Sequence, residues 1–346
     1  EKVQLIYTDK SKLSNSRTKV TLVGGFDLTL EESSGTFKPN PLIISMFQEF
    51  NTDMLLVSQP AGWPHGGHFI LNFSKQKALA LTTQLKGSTY FYSEYNPLAN
   101  LPQQTEEIVG KVVDLEAATV TTSTDVNTLG TIKYALFTAI AGKSELMTMY
   151  GLHANISFGV KVLERLVKAA QRVAKENGKP VILINVIGKD KPQSPIDNCQ
   201  VLDANDAQTL GKLKLLGSGD AALVYTKSIP QPLFHLLGRN GSLPLLLEGA
   251  GTASFVQNLG IPFLTVKNNT SLPKDISGYE PLEKAANTLD TDNVTEQQIK
   301  DLVQIFKDSR TESTELFNYY SNLKKSRRAP EKDQMAQIFA LLEDWK

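Results

Sequence analysis

The stretch Leu243–Val266, LPLLLEGAGTASFVQNLGIPFLTV, decides the fold. Its apolar run Leu243–Leu247 reads as a buried strand. Glu248-Gly249-Ala250-Gly251 breaks the run, and a helix is expected from Thr252. Gly260 ends that helix, Pro262 follows, and Phe263–Val266 is a second apolar run. Strand, small-residue loop, helix, Gly-x-Pro and strand make half of a wound α/β unit. The first-turn N–H groups of such a helix have no intrahelical partner. With the helix dipole they attract an anion, most often a phosphate. Gly249 and Gly251 let the backbone approach a ligand with no Cβ in the way. Ser254 holds the third glycine position of G-x-G-x-x-G, and the Lys-Ser/Thr of a P-loop is absent. On residues alone the loop is either a tight turn or an anion cradle.

Working outward, the same rhythm fills the C-terminal half. Ile156–Glu176 predicts a helix with two adjacent apolar stripes, as for a helix packed on a sheet. Gly178 is its expected C′ residue, and Val181–Ile187 (VILINVI) is a continuous apolar run of the kind found in central parallel strands. Strands are expected at Cys199–Leu202 and Ala221–Tyr225, and helical pieces at Ala207–Leu216 and Pro232–Leu237. Thr295 and Gln298 form a capping-box pattern ahead of a helix to Lys307. Helices are also expected at Ser313–Lys325 and Pro330–Trp345. The basic run Lys324–Arg328 between them is either a solvated linker or an anion site.

Toward the N-terminus the pattern predicts short strands at Val3–Tyr7 and Lys19–Val23. It then predicts a loop over Asp27–Asn40, a helix over Leu42–Phe50 and a strand over Asp53–Ser58. A glycine-rich loop ends at His68, helical spacing follows from Phe69 to Leu85, and Ser88–Tyr95 is an aromatic strand. Asp53–Tyr95 therefore reads as a second strand, loop, helix, strand unit. Another strand region is expected at Val109–Thr122, and a mostly helical stretch at Thr128–Met149. Two α/β halves follow, divided between Met149 and Ile156.

The 346 residues suit two domains. Thirty-six Lys and Arg balance thirty-six Asp and Glu, which removes a simple electrostatic case for a nucleic-acid partner. Cys199 is the single cysteine, which excludes an intramolecular disulfide and fits a reducing compartment. No apolar run has the length of a transmembrane segment. A soluble, cytoplasmic protein is expected. The first residue is Glu1, which is compatible with a removed targeting segment or with a piece of a longer protein. No His-x-x-x-His, no cysteine pair and no Asp-x-Asp flanked by strand residues argues for a metal, and none is expected. No G-x-S-x-G elbow argues for a serine hydrolase.

Gly249-Ala250-Gly251-Thr252-Ala253-Ser254, followed by Leu259-Gly260-Ile261-Pro262, resembles the donor-domain motif of GT-B fold glycosyltransferases. The likeness is to inverting nucleotide-sugar enzymes such as the lipid II-forming N-acetylglucosaminyltransferase. Asp53–Ser58 with Gly62 and Gly66-Gly67-His68 resembles the first strand and glycine loop of the same family. Glu248 departs from the polar or His residue of several relatives. About fifty residues precede the first loop, where the family has few.

The resemblance implies an α/β chain with two Rossmann-like domains facing a cleft and C-terminal helices crossing back. Residues 1–150 would form an acceptor-side α/β domain and 151–312 a nucleotide-sugar-binding α/β domain. Residues 313–346 would be helices packing back on the N-terminal half. The activity implied is metal-independent, inverting transfer of a sugar to an acceptor hydroxyl on a glycan, lipid or protein, with no cofactor beyond the donor substrate. Gly249–Ser254 would hold the donor pyrophosphate, with Lys227 as an assisting cation or a solvated lysine. His68 would be the general base, since imidazole has a suitable pKa. If Gly24-Gly25-Phe26-Asp27 is instead the true first loop, Asp27 takes that role. Glu248, Gly66, Gly67, Trp63 and His153 are candidates at the sugar or the cleft. His153 is otherwise structural, and His235, amid apolar residues, reads as a core or rim histidine. The alternatives are a nucleotide-sugar hydrolase or epimerase on the same fold, and a sugar- or nucleotide-binding module without turnover.

Overall fold

A computed structural model describes six short strands between residues 19 and 80. Beyond them it describes residues 126–150, 159–188, 195–227, 229–247, 250–266, 276–289 and 293–327, with residues 110, 192 and 291 isolated. The described residues fall into two compact units, within Glu1–Phe91 and within Tyr92–Arg328.

The first unit is antiparallel. Its strands are β1 (Lys19–Leu22), β2 (Phe26–Glu31), β3 (Thr36–Lys38), β4 (Met54–Ser58), β5 (His68–Asn72) and β6 (Lys77–Ala80). They pair in the order β1-β2-β3-β6-β5-β4, and every pairing is antiparallel. Two expectations are corrected here. The stretch read as a loop from Asp27 contains β2 and β3, and FDLTLE alternates apolar and polar residues at the period of a strand. The stretch read as a helix from Phe69 contains β5 and β6 instead. HFILN and KALA are too short for periodicity to separate helix from strand, and antiparallel pairing decides them. The described residues of this unit thus form an antiparallel sheet where a second Rossmann-like domain was expected. The elements expected at Val3–Tyr7, Leu42–Phe50 and Ser88–Tyr95, and all of Val109–Thr122 but Gly110, lie outside the described residues.

The second unit is α/β and Rossmann-like. Its elements in order are α1 (Val126–Ile140), β7 (Glu145–Tyr150), α2 (Gly159–Glu176), β8 (Val181–Val186), β9 (Cys199–Asp203), α3 (Thr209–Leu213) and β10 (Ala221–Thr226). There follow α4 (Gln231–Asn240), β11 (Leu245–Leu247), α5 (Ala250–Leu259), β12 (Phe263–Thr265), α6 (Tyr279–Leu289), α7 (Glu296–Asp308) and α8 (Glu315–Arg327). The six strands run parallel in the order β12-β11-β7-β8-β10-β9. A parallel sheet needs both faces covered, which is why VILINV and AALVYT are buried at every position. One helix layer contains α1, α3 and α4. The other contains α2, which crosses β7, β8 and β10, with α6 and α7 packed on it.

Local chemistry sets the ends of these elements. Gly178 takes φ +68 after α2, as its C′ position requires. The capping box holds: the Gln298 N–H donates to Thr295 Oγ1 at 3.2 Å and the Thr295 N–H to Gln298 Oε1 at 2.9 Å. The helical stretch expected to Met149 ends at Ile140, and Gly142 at φ +67 turns the chain into β7. β7 then pairs with β8 and β11, so the division expected at residue 150 falls at the end of a strand of this sheet. α8 packs on α5, α6 and α7 of its own unit, whereas the C-terminal helices were expected on the N-terminal half. The helix expected at Pro330–Trp345 lies outside the described residues.

One buried cation fastens the second helix layer. Arg165 lies on α2 with no exposed surface. Its Nη1 donates to the Leu289 carbonyl at 2.7 Å and its Nε to the Asn293 carbonyl at 3.0 Å. Nη2 donates to Thr291 Oγ1 at 2.8 Å and to the Thr291 and Asn293 carbonyls. The guanidinium thus gathers the C-terminus of α6 and the link into α7, which satisfies backbone acceptors and matches the helix dipole. Replacing Arg165 by Met leaves those carbonyls buried without a donor. We expect a loss of about 3 kcal/mol, read as a lower urea midpoint, and Arg165→Lys should not restore it because ammonium cannot span the same acceptors. An unchanged midpoint in Arg165→Met would remove the anchor role.

Candidate functional site

The strand order reverses at β7. On one side the chain passes from β7 through α2 to β8; on the other, β11 arrives from β10 through α4. Neighbouring strands whose connections leave in opposite directions open a crevice beyond their C-terminal ends, which is where α/β sheets bind ligands. Leu246 is in register with Met149, so β7 and β11 end side by side at Tyr150 and Leu247. α5 begins at Ala250, three residues beyond β11 and two earlier than expected. Its first turn is set into the core: Ala253 is fully buried and Thr252 nearly so. The free N–H groups of this turn therefore sit on a rigid support beside the crevice.

Aromatic side chains from three elements build a wall next to the end of β7. Tyr150 and Phe234 lie with ring centroids 5.2 Å apart, and Phe255 stacks on His235 at 4.2 Å with an interplanar angle of 10°. Burial, and then the charge of Arg239, push the His235 pKa down to about 4. The imidazole is thus neutral near pH 7 and acts as a flat packing group, in keeping with the core or rim role read from its apolar neighbours. Burial likewise pushes the Cys199 thiol up to about 11, which keeps it protonated and unreactive.

The ends of β8 and β10 complete the floor. Lys227 follows β10 and is exposed. Ile187 follows β8 at φ +53, a costly conformation for a β-branched residue, and its N–H donates to the Thr226 carbonyl at 2.8 Å. Gly188 comes next; a Cβ there would lie 2.2 Å from the amide atoms of Asn185, so any larger residue would force the buried Asn185 side chain to move. Asn185 is fully buried, and neither amide atom has a hydrogen-bond partner. Thr148 Oγ1 is likewise buried and unpartnered. Register puts Asn185 beside Met149 and Tyr225, and Thr148 on the other face beside Ile184. Each orphan costs about 1–3 kcal/mol, and both lie close to the C-terminal ends of the two central strands. Neither was singled out from sequence, yet Asn185 is the one polar residue inside the apolar run VILINVI.

The sequence-derived candidates are distributed as follows. Ala250, Gly251, Thr252, Ala253 and Ser254 form the first half of α5, and Lys227 ends β10. His68 opens β5 opposite Ser58, and Asp27 lies on β2 opposite Thr21. β3 and β6 stand between β2 and β5, and the pairing register offsets Asp27 from His68 along the strands as well, so the two proposed bases are not neighbours in the sheet. Glu248, Gly249, Trp63, Gly66, Gly67 and His153 lie outside the described residues. Among the described residues no three His, Cys, Asp or Glu side chains converge, and no helix is long and apolar enough to cross a membrane.

No family model matches the sequence, and no curated protein matches it. Among solved structures, the chain has a likeness to an α,α-trehalose-phosphate synthase (UDP-forming) from Burkholderia xenovorans, at 11% identity and a TM-score of 0.32. The match covers 83% of this chain and 55% of that one, so the chain spans little more than half the length of the structure it matches. It assigns no ligand and no residue role here.

The depressed pKa of His235 has a sign that can be checked. The unfolded imidazole titrates near 6.5, and the folded one at about 4. Stability from keeping it neutral is complete above pH 6.5 and is lost as pH falls from 6.5 toward 4. The expected loss is about 3 kcal/mol across that window. Denaturant titrations at several pH values should show this slope, and His235→Phe, which keeps the stack on Phe255, should flatten it. An equal slope in both proteins would count against His235 as its source.

Proposed function

We propose that the second unit binds a nucleotide-sugar with its pyrophosphate at the N-terminus of α5, and that the chain transfers the sugar to an acceptor hydroxyl. The carrying observation is the position of α5: its first turn faces the crevice where the order of the parallel sheet reverses. A helix N-terminus carries about half a positive charge and several unpaired N–H donors, which suits a diphosphate that gains charge as it leaves. The stretch Gly249–Ser254 followed by Gly260-Ile261-Pro262, with its resemblance to nucleotide-sugar enzymes, narrows an anion site to this donor class.

In this reading the acceptor oxygen attacks the anomeric carbon and inverts it. The bond from that carbon to the β-phosphate oxygen breaks, and the nucleoside diphosphate leaves with the electron pair. Backbone N–H groups of α5, the Thr252 and Ser254 hydroxyls and the exposed Lys227 stabilise that charge, so the mechanism runs without a metal. Glu248 is assigned to sugar hydroxyls, with Trp63, His153, Gly66 and Gly67 at the sugar or the cleft. The hydroxyl proton goes to His68 or Asp27.

Thermal melts over a panel of UDP-, GDP- and ADP-sugars test the donor class: one or more should raise the melting temperature. No shift with any of them would sink the proposal. Gly251→Val should abolish the shift by placing a branched side chain where the backbone meets phosphate. With the donor found, His68→Ala and Asp27→Asn separate the two bases. Loss of the true base should cost about 10²–10⁴-fold in turnover with the melt shift intact. Release of free sugar without an acceptor would mark a hydrolase instead, and donor binding without any turnover a binding module.

A further inference from the structure

Asn185 is the last residue but one of β8, is fully buried, and has no hydrogen-bond partner at either amide atom. Gly188 shows where its side chain is aimed. A Cβ on that glycine would lie 2.2 Å from both Nδ2 and Oδ1 and 2.3 Å from Cγ. Nitrogen and oxygen are equally close, so the tip of the amide meets the turn that leaves β8. That turn lies at the C-terminal edge of the sheet, the edge at which α/β sheets bind ligands. Register sets Leu246, Met149 and Asn185 in one row across β11, β7 and β8. Asn185 is therefore two strand spacings, roughly 10 Å, from the strand that leads into α5.

Packing and folding do not account for this residue. Asn is a poor strand former, and a buried amide is unfavourable unless it is paired. Its neighbours in register are Met149 and Tyr225. A bridging water would need further polar partners. Met149 offers only a weakly accepting thioether, and the backbone groups of β7, β8 and β10 are taken up by the parallel ladder. Arg165 shows what structural use of a buried polar group looks like in this unit, with every guanidinium nitrogen matched. The turn carries a cost of its own. Ile187 is partly exposed and held at φ +53, which strains a β-branched residue, while its N–H is tied to the Thr226 carbonyl. An unpaired amide and the strained turn pressed against it are both relieved by a second position of the turn.

We propose that Asn185 is a ligand-recognition residue of the crevice, and that the Ile187–Gly188 turn covers it until a ligand binds. With the turn moved off, the amide presents a donor and an acceptor side by side. That pairing suits an uncharged partner that carries its own donor and acceptor close together. Two parts of a nucleotide-sugar have this chemistry: the edge of the nucleobase and a vicinal diol of the sugar ring. The diphosphate is a poorer match, because the amide brings no charge to it. The separation from β11 leaves the diphosphate to the N-terminus of α5 and the uncharged end of the ligand to Asn185. The inference rests on the reading of the crevice as the ligand site. It does not rest on sugar transfer or on the anion at α5.

Ligand-observed NMR of the full chain with neutral fragments at millimolar concentration tests it. One arm holds nucleosides, and the other holds glucose and N-acetylglucosamine. Saturable binding is expected in one arm, and that arm identifies the base or the sugar as the group recognised. Asn185→Val removes the amide, suits a strand and stays clear of Gly188. It should raise Kd at least tenfold and also raise the urea midpoint of the unliganded chain, because an unpaired buried amide is lost. A structural asparagine would lower the midpoint instead. Ile187→Asn keeps the amide and relieves the positive φ, which Asn tolerates. It favours the covered form, so binding should weaken severalfold as the midpoint rises. This second variant decides the matter if Asn185→Val does not fold. Absence of binding in both arms would overturn the proposal. So would binding unchanged in the folded variants, or a lowered midpoint in folded Asn185→Val, which would mark the amide as satisfied by a buried water. The anion reading at α5 fails separately, in the nucleotide-sugar melts with Gly251→Val, since neutral fragments carry no phosphate.

Discussion

Parallel pairing is the constraint from which the second unit follows. Strands that run the same way cannot be joined by hairpins, so each connection must cross a face of the sheet. The crossings supply α2, α4 and α5 as covers, and right-handed crossover puts them on different faces once the direction of travel reverses at β7. All strands then point their C-terminal ends to one side. The loops that follow β7, β8, β10 and β11 collect there, and so do the N-termini of the helices that begin after those loops. An anion-attracting end is therefore a result of topology before any side chain is chosen. The side chains refine it: small residues over 249–254, Lys227 beyond β10, and an aromatic wall behind Tyr150.

The cost of that arrangement is visible at the ends of the central strands. Asn185 is buried with an unsatisfied amide, Gly188 is pressed against it, and Ile187 adopts a positive φ between them. A protein without need of this turn would place Val or Leu at 185 and relax the chain. Strain and unpaired polar groups collect where structure is held for something other than stability. Arg165 carries the opposite lesson. It is as buried as Asn185, but each nitrogen of its guanidinium meets a carbonyl or hydroxyl, and it ties α2 to the joint between α6 and α7. One buried polar residue is fully used by the fold and the other is not.

The second unit was far more legible than the first, for a physical reason. A strand buried on both faces is a continuous apolar run, and VILINVI and AALVY carry that signature without ambiguity. Helix ends with side-chain chemistry were equally plain: Gly178 and the Thr295–Gln298 pair sit where their backbone roles require. The antiparallel strands gave a weaker signal. HFILN and KALA last four or five residues, and partners far along the chain decide their state. Most of ELMTMY reads as helix because Leu146 follows Ile132, Leu136 and Ile140 in the apolar pattern, and only Gly142 signals the turn into β7. Arg165 was hidden because a lone cation in an amphipathic helix looks like a surface residue until its carbonyl partners, more than a hundred positions away, are in place.

α5 shows how much one short helix can organise. Its ten residues begin beside the crevice and end at Gly260, on the rim of a cavity. The two ends have opposite polarity: free N–H groups at the first, free carbonyls at the second. The first attracts an anion unaided. The second attracts cations, and Arg239, Arg310 and Lys324 gather around it. Each comes from a different part of the chain: α4, the turn after α7, and α8. A single cation would offset the partial charge of one helix end, which is about half a unit. Two helices end here, and three full charges surround the space between them. In a chain of zero formal net charge, that gathering of cations where two helices end is a local choice of sequence.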